Sequence, residues 1–95
     1  MNTSLDKTVF GHLVGVSVDV RAYQPSAAWL RFRWDIGGQF SSMLEAEHPG
    51  DGQWTTLSCQ AQIPPEADGV TVWIVLLPGS ALPCEVDNVR AEILD

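Results

Sequence analysis

A few aromatic and arginine side chains carry the most distinctive chemistry of this chain. Trp29, Arg31 and Arg33 alternate, so an extended backbone puts them on one side. Tyr23 lies in the turn just before them, and Trp73, in a later stretch, also points away from the apolar set around it. A flat ring gives the apolar C–H face of a sugar a surface to stack on, and guanidinium groups donate to hydroxyls. Aromatics and arginine are equally typical of protein–protein interfaces. Two kinds of recognition follow: a glycan held on a platform of Trp29, Arg31, Arg33, Tyr23 and Trp73, or the same residues buried in an interface or a second core.

Groups that do acid–base or nucleophilic work are scattered. His12 and His48 have no Ser or Cys motif beside them, and the turn His48-Pro49 reads as solvated. Glu45 and Glu47 share a side of their strand, but a working carboxylate pair must flank a substrate in a cleft. On an edge strand they read as surface charge, and no enzyme is expected. Cys59 and Cys84 are 25 positions apart and form no C-x-x-C motif. Each alternates with apolar neighbours, as reduced, buried thiols do. A disulfide between them is the alternative, and it implies an oxidising compartment.

Composition narrows the partners. The chain has 95 residues, 45% hydrophobic and only 18% charged, against an average near 25% charged. One domain with one modest core is expected, its surface short of charge because something covers part of it. The formal net charge is −7, with 12 acids against 5 bases. Phosphate backbones and anionic membranes are read by Lys and Arg, so neither nucleic acid nor membrane is an expected partner. No apolar run approaches the roughly 20 residues that span a bilayer. The opening MNTSLDKTVF lacks the basic start and apolar stretch of a signal peptide. The expectation is that the chain acts where it is made, is assembled into a particle such as a virion, or was cut from a longer exported protein.

Period-two alternation predicts strands and no helix. Over 14–22, Val14, Val16, Val18, Val20 and Ala22 share one side, with Gly15, Ser17, Asp19 and Arg21 on the other. Residues 8–13 extend that strand. Tyr23-Gln24-Pro25-Ser26 is a turn. A strand over 28–36 puts Leu30, Phe32, Trp34 and Ile36 inward. The hairpin after it takes a three-residue loop, Gly37-Gly38-Gln39, setting Ile36 opposite Phe40, Phe32 opposite Leu44 and Arg31 opposite Glu45. Residues 48–52 form a loop. The next strand, 54–63, points Leu57, Cys59, Ala61 and Ile63 inward, and residues 64–69 form a loop behind it. A strand over 70–77 leads through a Pro78-Gly79 turn to the last, 84–94. The 70–77 strand is apolar on both sides, so its second side must meet a partner subunit, a ligand or a loop of its own chain, and a symmetric subunit interface is the expectation. An all-β, antiparallel β-sandwich of six to seven strands, jelly-roll-like and occupying residues 1–95, is the predicted fold.

From Leu13 onward the chain resembles jelly-roll carbohydrate-binding modules of the calcium type. The resemblance rests on VGVSVDVRA, an edge hairpin, the Trp-led strand WTTLSCQAQIP, an apolar strand and the closing Val86-Asp87-Asn88-Val89. It implies non-catalytic sugar binding and a packing role for Trp54. Relatives of this fold occur in phage virions, which implies the alternative of a structural or virion-surface module working as a homo-oligomer. The chain looks shortened at its N-terminus relative to the family. There the Asp at the position of Asp87 helps bind a structural calcium with partners in the opening strands. Calcium takes roughly six to eight oxygen ligands. Asp87 alone cannot supply them, so no metal is expected, and Asp87 with Asn88 is expected to hydrogen-bond backbone at a bulge instead.

Overall fold

The computed structural model describes residues 2–77 and 84–95, so the Pro78-Gly79 turn lies outside the described residues. Among the described residues seven strands form: β1 (Asn2–Ser4), β2 (Leu13–Arg21), β3 (Ala28–Ile36), β4 (Gln39–Glu47), β5 (Trp54–Gln62), β6 (Ala67–Leu76) and β7 (Glu85–Ile93). One antiparallel sheet has the order β1-β6-β3-β4 and the other β5-β2-β7. The sheets face each other as an all-β sandwich. Its strands cross between sheets in a jelly-roll-like order, with one sheet of four strands and one of three.

The core follows from alternation. Val14, Val16, Val18 and Val20 on β2, with Ala22 just beyond it, are buried, while the residues between them are half-buried. They meet Leu30 and Phe32 on β3 and Val70, Val72 and Ile74 on β6, with Leu57 and Ile63 completing the layer. Each large side chain buried here contributes about 1.5–3 kcal/mol. Trp34 packs at the margin of this core, edge-to-face with Phe32 at 5.8 Å.

Three expectations need correction or refinement. The β3–β4 loop has two residues, not three: Ile36 pairs with Gln39 across Gly37-Gly38. Both glycines have positive φ, 63° and 74°, the backbone a tight hairpin demands. The apolar register is then restored by a bulge at Ser41, so Phe32 still faces Leu44 and Arg31 still faces Glu45. Residues 8–13 do not simply extend β2. Asp6 caps a 3₁₀ turn, Lys7–Val9, its carboxylate accepting from the Thr8 amide at 3.1 Å, and the chain then turns at Gly11. Ahead of that turn β1 pairs with β6. The strand expected from residue 70 begins at Ala67, which is buried and pairs with Ile36. β6 is an interior strand between β1 and β3, and on its second side Thr71, Trp73 and Val75 are half-buried.

The loop before β5 is clamped to the turn after β2. Gly52 donates to Ala22 at 2.9 Å, and Gly50, at φ +78°, lies against the Gln24–Pro25 peptide. A Cβ on Gly50 would fall 2.1 Å from the Gln24 carbonyl carbon. Gly50→Ala is therefore expected to cost at least about 2 kcal/mol in chemical denaturation, combining a left-handed backbone with a backbone clash. Gly37→Asn, at a positive φ in open space, is expected to stay within about 1 kcal/mol. Equal costs for the two would contradict this packing.

Candidate functional site

The aromatic and arginine residues singled out in the sequence divide between the two sheets. Trp29, Arg31 and Arg33 on β3 and Trp73 on β6 share the outer face of the four-stranded sheet, where Arg31 pairs directly with Trp73. All four are half-buried. Arg31 donates to Glu45 at 2.8 Å with its guanidinium 5.8 Å from the Trp29 ring. Arg33 donates to Asp35 at 2.9 Å and lies 5.1 Å from the Phe40 ring. Both cations thus already hold a carboxylate and a ring. Trp73 Nε1 is buried and has no hydrogen-bond partner among the described residues. Tyr23 is elsewhere, in the bend just after β2, its ring 5.2 Å from the Arg21 guanidinium.

The outer face of the three-stranded sheet holds the more open arrangement. Antiparallel register lays its outward residues three abreast: Trp54–Arg21–Glu85, Thr56–Asp19–Asp87, Ser58–Ser17–Arg90 and Gln60–Gly15–Glu92. A depression of about 330 Å³ opens beside Trp54 and is lined by Asp19, Thr55, Thr56, Asp87 and Asn88. A second, of about 340 Å³, continues over Ser17, Ser58 and Gly15 toward Arg90 and Leu94. Leu94 lies over Gly15, in space that a Cβ there would fill.

Trp54 is 49% exposed, not packed as the family resemblance implied. Parity explains why. With Leu57, Cys59 and Ala61 inward, the even-numbered Trp54, Thr56, Ser58 and Gln60 must point out. That signal is present in the sequence and outranks the resemblance.

The loop behind Trp54 is held by His48, which is fully buried, contrary to the solvated turn expected. The ring sits between two backbone groups: Gly50 N–H donates to Nδ1 at 2.8 Å, and Nε2 lies 2.9 Å from the Gln53 carbonyl. Nδ1 must therefore accept and Nε2 donate, which makes the ring the neutral tautomer. Arg21 donates to the Gly52 carbonyl at 2.8 Å and fastens the same loop to the sheet. His48→Ala leaves a buried donor and acceptor unpaired and opens a cavity. It is expected to lower stability by about 2–4 kcal/mol in denaturant titration, and a change below 1 kcal/mol would show that the ring is dispensable.

Asp19 organises the polar centre. Thr56 Oγ1 donates to its Oδ1 at 2.6 Å and Asn88 Nδ2 to its Oδ2 at 2.8 Å, with Arg90 Nη2 3.5 Å away. Asn88 reaches it from the bulge expected in the last strand. Its φ is +54°, and the Asp87 carboxylate accepts its backbone N–H at 2.8 Å. The Asn88 side chain goes to Asp19 rather than to backbone. Asp19 and Asp87 each accept hydrogen bonds from these donors, and no group of three His, Cys, Asp or Glu that could hold a metal occurs among the described residues. Cys59 and Cys84 are free and half-buried, on strand β5 and ahead of strand β7. Burial, and then the charge of Glu45, raises the Cys59 thiol above its ordinary value.

The Thr56 hydroxyl and then the Asn88 amide, aided by Arg90, hold the Asp19 carboxyl below the ordinary carboxylate value. A depressed folded value means that this stabilisation is present above the unfolded value and is lost as pH falls through the folded one. Asn88→Ala is expected to move the Asp19 midpoint upward, toward the ordinary carboxylate value, in an NMR titration of its carboxyl carbon. An unmoved midpoint would show that the 2.8 Å bond contributes nothing.

Compared with known proteins, the chain matches no family model, no curated protein and no solved structure.

Proposed function

We propose that this chain is a non-catalytic carbohydrate-binding module whose ligand lies along the outer face of the three-stranded sheet. The observation that carries the reading is Trp54, a half-exposed ring at the mouth of a depression whose other walls are Asp19, Thr56, Asp87 and Asn88. A sugar ring needs an apolar plate for its C–H face and a mixture of donors and acceptors at its rim. Trp54 supplies the first. The free lone pairs of Asp19 and Asp87, the Asn88 amide and the Thr56 hydroxyl supply the second. These side chains stand on paired strands, and Thr56, Asp19 and Asn88 already hold one another, so little ordering entropy is lost on binding. The second depression, running past Ser17 and Ser58 toward Arg90, gives a longer chain of sugars room to continue.

The platform of Trp29, Arg31, Arg33 and Trp73 is the weaker site of the two. Its arginines are engaged with Glu45 and Asp35 and its tryptophans are half-buried. Tyr23, from the same original set, sits instead at the Trp54 end, beside Arg21.

The test is a glycan array followed by calorimetry on the best ligand. Trp54→Ala is expected to weaken binding at least tenfold, which is about 1.4 kcal/mol, while Trp29→Ala leaves it unchanged. If Trp29→Ala abolishes binding and Trp54→Ala does not, the ligand lies on the other sheet. An array without a hit overturns the reading.

A further inference from the structure

A β-sandwich has four sheet edges, and an edge left open is a template for another strand. Three of the four are blunted here. The β1 edge is only three residues long. The β4 edge carries a bulge and the charges of Glu45 and Glu47. The β7 edge carries a bulge, Asn88 at positive φ, and the charges of Glu85, Asp87, Arg90 and Glu92. The fourth edge, β5, has none of these devices. Its sequence WTTLSCQAQ holds no charge, no Gly and no Pro, and all nine of its residues stand in unbroken register with β2. On its other side no strand pairs with it among the described residues.

From this geometry we infer that β5 is a homodimer interface, pairing antiparallel with β5 of a second copy about a two-fold axis. The lack of charge on β5 suits a second copy of the chain as the occupant. Two chains of net charge −7 repel, so they approach most readily where neither carries charge. In every antiparallel register of β5 on itself, no charged side chain of the strand meets another. Isologous pairing of one strand with its own copy closes after two subunits and builds no fibre. Nine residues span about 30 Å, long enough for a ladder of several hydrogen bonds.

A second observation points the same way. Leu44 on β4 faces Phe32, which is fully buried, yet Leu44 itself is 38% exposed. The inner side of the sandwich is thus incompletely covered along the margin formed by β4. β4 packs over β5, so a second copy added at β5 extends the three-stranded sheet to six strands beneath this margin. Outward residues stay outward in such a pairing, so the two Trp54 rings lie on one side of the extended sheet. The inference rests on the β5 edge and Leu44 and stands whether or not the outer face binds a glycan.

Sedimentation velocity from low micromolar to near-millimolar protein, together with amide hydrogen exchange, tests it. The wild type is expected to sediment as a dimer that dissociates on dilution. Every second amide along β5 is expected to be protected in the dimer and exposed after dilution. Ser58→Lys/Gln60→Lys places charge on exposed outward positions of this strand. It is expected to yield a folded monomer with a circular dichroism spectrum like the wild type. Two added lysines lower the net negative charge, so loss of the dimer cannot be ascribed to overall repulsion. A wild type that stays monomeric overturns the inference. So does a dimer that survives both lysines, or one that leaves the alternate β5 amides unprotected.

Discussion

The valine ladder of β2 is the constraint on which the rest of the molecule depends. β2 is the middle strand of the smaller sheet, with β5 on one side and β7 on the other. Val14, Val16, Val18 and Val20 are each at most 2% exposed, so a slip of one residue would turn all four to water and bring Ser17 and Asp19 into the core. That cost locks the strand and both of its neighbours. It also sets the opposite face, because Ser17, Asp19 and Arg21 are outward for the same reason that the valines are inward. The central residues of the candidate site are therefore a by-product of core packing.

The candidate site is built on a sheet surface without a deep cleft. Two like charges, Asp19 and Asp87, are opposed in register, an arrangement that is unfavourable unless other groups answer it. Thr56, Asn88 and Arg90 answer Asp19, and the Asn88 backbone answers Asp87. The bulge at Asn88 is what makes this geometry available. An uninterrupted strand would alternate past that position and could not present both the Asp87 carboxylate and the Asn88 amide on one side. The loop behind Trp54 has the same economy, with one buried imidazole satisfying an amide and a carbonyl that would otherwise be orphaned in the interior.

Much of this was legible in the residues, for identifiable reasons. Strand placement, the inward sets and the Phe32–Leu44 and Arg31–Glu45 pairings follow from period-two alternation, which is a local property of the chain. The outward direction of Trp54 was legible too, since it shares parity with Thr56 and Ser58, although the family resemblance pointed to packing. The burial of His48 was not. A histidine between a glutamate and a proline gives no local sign that Gly50 will press against the Gln24–Pro25 peptide and close over the ring. The two-residue hairpin with its bulge was likewise hidden, because Gly37-Gly38 satisfies the turn while the apolar faces satisfy the register. Only the bulge at Ser41 reconciles the two.

Local chemistry thus determined the class of the protein: an acidic chain of alternating strands that folds as an all-β sandwich. Side-chain parity and turn propensity are short-range quantities that neighbours in sequence settle between themselves. The tertiary structure decided which outward residues share a face and which edges stay open. Trp29 and Tyr23 are six positions apart in the chain, yet Trp29 lies on the four-stranded sheet and Tyr23 in the bend that leaves the three-stranded one, while Asp19, Thr56 and Asn88 come from three strands far apart in sequence and hydrogen-bond within 3 Å. The physical reason is that strand order and bulges are set by which pairings bury the valine ladder best. That quantity involves the whole chain at once and is written in no single stretch of it.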